Sequence, residues 1–173
     1  LLDGYIKNQP YAIFTEDDQL DNFIFGAHPY VRSKYEAEQL VAKARKSGIV
    51  GTIYRVGNLV MDSRSYRIQK DFEKNIFFNH IRAILQFSIL PVELSWPEVS
   101  PVDCTALAVV KLFDKIDLSN QTWHVFNPKF CDLRKMLQDY GDINIKSDRL
   151  DLFVEKVLSS IDQAQATSKV AHL

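Results

Sequence analysis

The sequence predicts an α/β fold, and three observations support this prediction. Residues 30–47 show helical periodicity, and residues 49–56 follow at once with enough apolar and β-branched side chains for a buried strand. Further amphipathic helices come next, and residues 122–126 alternate like a second strand. Helices that alternate with strands are typical of a parallel sheet with crossover helices.

The first predicted helix lies between two helix-breaking residues, Pro29 before it and Gly48 after it. Its apolar residues recur at helical spacing, so we expect them to face inward: Ala37, Leu40, Val41 and Ala44. Residues 1–29 lack such a pattern and are predicted to be loop.

Four further helices or helix starts are predicted along the rest of the chain. One covers residues 75–90, one begins with Asp103 as its N-cap, and one runs from an N-cap at Asp132 to Gly141. The last covers about 148–161 and precedes a polar tail that we expect to be loose. Its predicted buried side chains are Leu150, Phe153, Val154, Val157, Leu158 and Ile161.

Composition narrows the classes of function. The 173 residues are 46% hydrophobic, which is enough for a packed core, and a net charge of -1 without a basic run argues against nucleic acid as a partner. No apolar stretch is long enough to span a membrane. The two cysteines are far apart and no signal-peptide pattern is present, which favours a reducing, cytoplasmic setting. The four histidines are scattered along the chain, so we do not expect a metal site.

The stretch with the clearest chemistry is the start of the first helix. Tyr30 and Lys34 are four residues apart, so a phenol and an ammonium group should share one helix face. A nearby cation favours the phenolate form of a tyrosine, which makes the phenol a usable acid or base near neutral pH. The spacing by itself is a weak signal, because an ordinary surface pair on a helix has the same spacing.

Neighbouring motifs favour the catalytic interpretation. Residues 30–38 (YVRSKYEAE) closely resemble the Tyr-x-x-Ser-Lys-x-x-Ala-Glu signature of extended short-chain dehydrogenase/reductases, and residues 54–59 resemble that family's Arg-x-Gly-Asn segment. Residues 98–103 and 124–128 resemble two later landmarks in family order. Within the family, the chain is most similar to the terminal thioester reductase domains of non-ribosomal peptide synthetases, relatives of carboxylic acid and aminoadipate reductases.

The resemblance implies the trailing part of a Rossmann-type parallel sheet over residues 1–58, to which the strand at 122–126 returns. Residues 59–173 would form a mainly helical subdomain for substrate or carrier. The family's Gly-x-x-Gly-x-x-Gly phosphate loop is absent, since no three of the six glycines have this spacing. We therefore expect that the first half of the Rossmann domain is missing and that the chain by itself binds cofactor weakly and is inactive.

The resemblance also implies a role for each matching position. Tyr30 would protonate the carbonyl oxygen of a thioester or aldehyde, and Lys34 would support it and bind the nicotinamide ribose. Contacts with the cofactor, expected to be NADPH, would come from Tyr30, Lys34, Arg55, Gly57, Asn58 and Leu59. Arg55 and Gly57 are equally compatible with a strand end and a plain turn.

The implied activity is NADPH-dependent release of an acyl or peptidyl thioester from a phosphopantetheinyl carrier protein, as an aldehyde or alcohol. Two alternatives stay open at this point. One is an NAD-dependent sugar-nucleotide epimerase or dehydratase of the same superfamily, which would share Tyr30 and Lys34. The other is a non-catalytic module that docks a carrier protein.

Overall fold

The computed structural model describes residues 15–18, 29–139, 141 and 144–170. Helices and strands alternate along these residues, which confirms the predicted α/β class. In chain order the elements are α1 (Pro29–Lys46), β1 (Ile53–Val56), α2 (Ile76–Phe87), β2 (Ile89–Pro91), α3 (Val102–Phe113), β3 (Thr122–Val125), α4 (Leu133–Asp139), β4 (Lys146–Asp148) and α5 (Leu150–Val170). Most of the loop predicted over residues 1–29 lies outside the described residues.

The chain divides into two compact units. Unit 1 comprises Leu1–Gly57 and Asp103–Phe126, and unit 2 comprises Asn58–Val102 and Asn127–Leu173. Most of α3 therefore belongs to unit 1, whereas the sequence prediction placed it in the helical subdomain. The reason is topological, because α3 leads into β3, which pairs with β1.

Unit 1 contains a parallel pair formed by β1 and β3, with Ile53 opposite Thr122 and Val56 opposite Val125. Arg45 near the end of α1 ties this pair to the helix. Its guanidinium donates to the carbonyl oxygen of Gly51 at 2.6 Å and to that of Gln121 at 2.6 Å. The end of the helix is thereby fixed at the start of both strands.

Strand β1 is shorter than the predicted 49–56, because the chain first has to leave the helix. Gly48 adopts a positive φ of 86°, and its amide donates to the carbonyl oxygen of Arg45. The amide of Ile49 donates to the carbonyl oxygen of Ala44. A left-handed residue at this position is the usual end of an α-helix, and glycine adopts that conformation without steric cost.

The prediction of the inward face of α1 was only partly right. Val41 and Ala44 are partly buried, but Ala37 is exposed and Leu40 is 68% exposed. No residue that the structure describes covers this part of the helix.

Unit 2 holds the larger apolar core among the described residues. Its parallel pair, β2 and β4, was not predicted, because residues 89 and 90 were assigned to the preceding helix. Helix α2 ends earlier because Ser88 adopts the left-handed conformation and its amide donates to the carbonyl oxygen of Ile84. The buried cluster consists of Ile84, Ile89, Leu90, Leu133, Leu137, Ile145 and Phe153.

Three further predictions about helices differ from the structure. Asp103 lies in the first turn of α3 and is not its N-cap, because the helix begins at Val102. Helix α5 starts at Leu150 and continues through the predicted tail to Val170. Its residues Val154, Leu158 and Ile161 are exposed, whereas Phe153 is buried as expected.

The predicted N-cap at Asp132 is confirmed, since its carboxylate accepts the amide of Lys135 at 3.0 Å. None of the helices in the described part of the chain is long and apolar enough to cross a bilayer.

Candidate active site

Tyr30 and Lys34 lie at the start of α1 and share one face. The ammonium nitrogen of Lys34 is 5.3 Å from the centroid of the Tyr30 ring, within the range of a cation–π contact. Between them, the hydroxyl of Ser33 donates to the carbonyl oxygen of Tyr30 at 2.7 Å. Tyr30 is 63% exposed and Lys34 is exposed, so both side chains can be reached by a ligand.

Arg55 in β1 is the centre of a polar cluster in unit 1. Its guanidinium donates to the carboxylate of Glu38 on α1, with a shortest distance of 2.5 Å. It also donates to the carbonyl oxygens of Thr15 at 3.1 Å and Asp18 at 3.2 Å. Arg55 also contacts His124 in β3, 3.2 Å away. These partners support a structural role for Arg55, and its predicted contact with cofactor stays a prediction.

The ring of His124 lies beside this guanidinium, with Nε2 facing Arg55 at 3.2 Å and Nδ1 facing the carboxylate of Glu16 at 3.7 Å. Arginine only donates hydrogen bonds, so a hydrogen bond between the two side chains requires that Nε2 accepts and that the ring proton is on Nδ1. Burial lowers the pKa of His124, with the Arg55 charge acting in the same direction. The pKa of Glu16 is also lowered, chiefly because its carboxylate accepts the backbone amide of His124 at 3.1 Å.

The predicted cofactor segment continues into unit 2 at Asn58 and Leu59. Leu59 forms a parallel bridge with Ser100, and the amide of Ser100 donates to the carbonyl oxygen of Asn58 at 2.9 Å. The amide of Val60 returns a bond to the carbonyl oxygen of Ser100 at 3.0 Å. Asn58 and Leu59 are themselves exposed, so this backbone is both held in place and accessible.

Glu98 accepts hydrogen bonds from several residues of this region, and it was not among the site residues predicted from the sequence. One carboxylate oxygen of Glu98 accepts the amide of Asn58 at 2.5 Å, and its backbone carbonyl accepts the side-chain amide of Asn58 at 3.1 Å. The other carboxylate oxygen accepts the hydroxyl of Ser100 and the amide of Asn127, the latter at 3.3 Å. The available signal was its position at the head of the 98–103 landmark.

A cavity of about 630 Å³ lies elsewhere in unit 1, and its lining includes Glu16, Glu38, Arg45, Arg55 and Gln121. Neither Tyr30 nor Lys34 belongs to it. Among the residues that the structure describes, no three His, Cys, Asp or Glu side chains are grouped so as to hold a metal ion.

The residues present fit one end of a nicotinamide cofactor. The ammonium of Lys34 is a donor for ribose hydroxyls, and the phenol of Tyr30 is accessible beside it. The phosphates have no comparable cradle in the described part of the chain, since its glycines do not form a phosphate-binding loop between a strand and a helix.

The fold is similar to that of several solved reductase domains. It matches a thiolation-reductase di-domain from an archaeal non-ribosomal peptide synthetase with a TM-score of 0.68 and 21% identity, over 91% of this chain and 43% of that one. The terminal R domain of the myxalamid PKS-NRPS pathway matches with a TM-score of 0.73 and 24% identity, over 88% of this chain and 39% of that one. The aureusimine cluster reductase domain gives a TM-score of 0.70 and 24% identity, over 88% and 41%.

A relative by sequence is a linear gramicidin synthase polypeptide of Brevibacillus parabrevis, which is 26% identical over 144 residues, 82% of this chain. The chain spans only 3% of that protein and less than half of each solved structure. These likenesses confirm the predicted resemblance to the terminal reductase domains of peptide synthetases. The Male sterility protein family, a family of NAD-binding domains, matches residues 4–109, more than half of the sequence. The chain therefore belongs to the Male sterility protein family.

Proposed function

We propose that this chain is part of an NADPH-dependent reductase that releases a carrier-bound acyl or peptidyl thioester as an aldehyde or alcohol. The observation that supports this most directly is the accessible pair of Tyr30 and Lys34 on one face of α1. The relatives add the substrate class, because two of the solved structures are reductase domains of a non-ribosomal peptide synthetase and of a PKS-NRPS pathway, and the first of them is joined to a thiolation domain.

In this proposal Tyr30 is the proton donor and Lys34 is its support. The bound cofactor supplies a hydride to the carbonyl carbon of the thioester. The hydroxyl of Tyr30 delivers a proton to the carbonyl oxygen, while the positive charge of Lys34 stabilises the phenolate that is left. Cleavage of the carbon–sulfur bond then returns the thiol to the carrier and frees the aldehyde. Transfer of a second hydride, from a second cofactor molecule, and of a second proton to the aldehyde would give the alcohol.

Lys34 has enough hydrogen-bond donors for a second role, which is to bind the ribose of the cofactor. An ammonium group carries three N–H donors, so the side chain can hold a ribose hydroxyl and face the phenol at once. Its position one helical turn after Tyr30 places both functions on the same stretch of α1.

The test is NADPH oxidation by the longest natural polypeptide that contains this chain, with an acyl-pantetheine thioester as substrate. Tyr30→Phe removes the donated proton, so we expect the turnover number to fall at least about 100-fold. Tyr66→Phe is the matched control, because Tyr66 is also largely exposed, at 73%, and lies in unit 2. We expect this control to react like the unaltered protein.

Two results would contradict the proposal in different ways. A protein that binds NADPH but oxidises it with no thioester would point to another substrate of the superfamily, such as a sugar nucleotide. A protein that binds carrier protein but no NADPH would point to a docking module.

A further inference from the structure

The carboxylate of Glu98 connects three segments of unit 2 that are distant in sequence. It accepts the amide of Asn58 at 2.5 Å, the hydroxyl of Ser100 two residues ahead, and the amide of Asn127 at 3.3 Å. Ser100 closes the cluster, because its hydroxyl oxygen also accepts the Asn127 amide at 2.8 Å. The side chain of Asn127 in turn donates to the carbonyl oxygen of Val99 at 3.1 Å.

These hydrogen bonds hold the backbone of Asn58 and Asn127 in place. Ser100 is 1% exposed and Glu98 is partly buried, so the hydrogen bonds of Glu98 with Ser100 and Asn127 are partly shielded from competing water, while those with Asn58 lie at the surface. Hydrogen bonds to an ionised carboxylate are about twice as strong as those between neutral groups. Together with the backbone hydrogen bond from Ser100 to Asn58, this side chain fixes the position of Asn58 relative to the segments at 100 and 127.

Besides Glu98, the backbone hydrogen bonds that join Asn58 and Val60 to Ser100 also hold the segment at 57–59. Residues 57–59 lie outside every helix and strand longer than a single bridge. Glu98 binds Asn58 both through its carboxylate and through its backbone carbonyl oxygen. The exposed side of the segment stays available to a ligand, since Asn58 and Leu59 are both exposed.

We propose that Glu98 is a positioning residue for the cofactor: it holds the backbone of Asn58 so that the Gly57–Leu59 segment faces the nicotinamide in a fixed geometry. The inference rests on the proposed function and on the expected contact of this segment with the cofactor. Glu98 itself acts through Asn58 and touches neither cofactor nor substrate.

Glu98→Gln tests the inference with the smallest change of shape. Glutamine keeps one acceptor oxygen and replaces the other with an amide donor, which has to face an N–H or O–H donor whichever way the side chain turns. Glu93→Gln is the matched control, because Glu93 lies in the same unit and its carboxylate also accepts a backbone amide, that of Leu150 at 3.0 Å.

Both variants are made in the longest natural polypeptide, and NADPH dissociation constants, melting temperatures and amide hydrogen exchange are measured. We expect Glu98→Gln to weaken NADPH binding at least about tenfold. The amides of Asn58 and Asn127 should lose protection in the same variant. Glu93→Gln should bind NADPH within about twofold of the unaltered protein.

The outcomes separate this inference from the proposed function. A Glu98→Gln protein that melts earlier but binds NADPH as tightly as the unaltered protein would show that Glu98 is merely structural, and would overturn the inference without affecting the proposed function. An unaltered protein that binds no NADPH would overturn both.

Discussion

Arg55 is part of a sequence motif that predicts contact with a cofactor, and in the structure it forms an ion pair with Glu38. The two side chains are only 12% and 18% exposed, and the guanidinium also donates to two carbonyl oxygens of residues 15–18. A buried guanidinium without its carboxylate is costly, because the remaining charge has lost its solvent and its partner. Arg55 thus stabilises the contact between α1 and β1.

We predict that Glu38→Gln lowers the free energy of unfolding by about 2 kcal/mol, because it removes the charge that compensates Arg55. Glu36→Gln on the same helix is the control. Its pair with Arg32 is largely exposed, at 56% and 70%, and should contribute less than about 0.5 kcal/mol. Urea unfolding of both variants measures the difference, and equal losses would show that the Arg55 pair is no stronger than a surface pair.

At the scale of elements, a capping side chain sets one end of α2 and a left-handed backbone residue sets the other. The side chain of Asn75 accepts the amides of Phe77 at 2.9 Å and Phe78 at 3.4 Å, so α2 begins directly after it. Its other end is set by the left-handed Ser88, which turns the chain into β2. The first boundary was within reach of the sequence, because asparagine is a preferred N-cap, while a left-handed serine has no such signal.

We predict that Asn75→Ala destabilises the protein by about 1 kcal/mol, because two amides at the start of α2 lose their acceptor. Asn75→Asp keeps an acceptor oxygen at the same position and should cost only a few tenths of that amount. Thermal unfolding distinguishes the two variants. An equal loss for both would mean that the side chain matters for its packing and not for its cap.

At the scale of the whole molecule, the two units are stabilised by different means. Unit 2 contains the apolar cluster around Ile84 and Leu90, both almost fully buried. The described part of unit 1 relies more on polar links, since Arg55, Glu38 and His124 connect α1 with β1 and β3. Some of these polar side chains gain or lose a proton as the pH changes, so the stability of unit 1 depends on pH.

We predict that unit 1 loses stability as the pH falls from about 7 to about 5. The unfolded chain takes up the His124 proton near its ordinary pKa of 6.5, whereas burial and the Arg55 charge lower the pKa in the folded state. In that window the unfolded state binds more protons than the folded state, so a fall in pH favours unfolding. Glu16, Glu38 and Asp18, which also face the ring, oppose this shift.

The measurement is urea unfolding across this pH range, followed by the fluorescence of Trp123 in unit 1 after Trp96 in unit 2 has been changed to phenylalanine. His124→Gln supplies an acceptor for Arg55 without a proton to bind in this range, so the slope should disappear. His80→Gln, at an exposed position of α2, should keep it. A slope that persists in His124→Gln would assign the dependence to another group.

Local features of the protein could be predicted from its sequence alone. The alternation of helices and strands, the shared face of Tyr30 and Lys34 and the cap at Asp132 all follow from spacing within a few residues. The resemblance in four short motifs was also visible there, and the family match agrees with it. Local spacing is sufficient in these cases because each depends on one helix or one strand.

Contacts between distant residues became visible only in the folded structure. The pairing of β2 with β4, the assignment of α3 to unit 1 and the cluster of Glu98 with Asn58 and Asn127 join residues that are 29 or more positions apart. No periodicity encodes such contacts, because their energy comes from burial and hydrogen bonds that exist only once the chain has folded. For the same reason, only the structure shows which residues pair with Arg55 and that Leu40 is exposed.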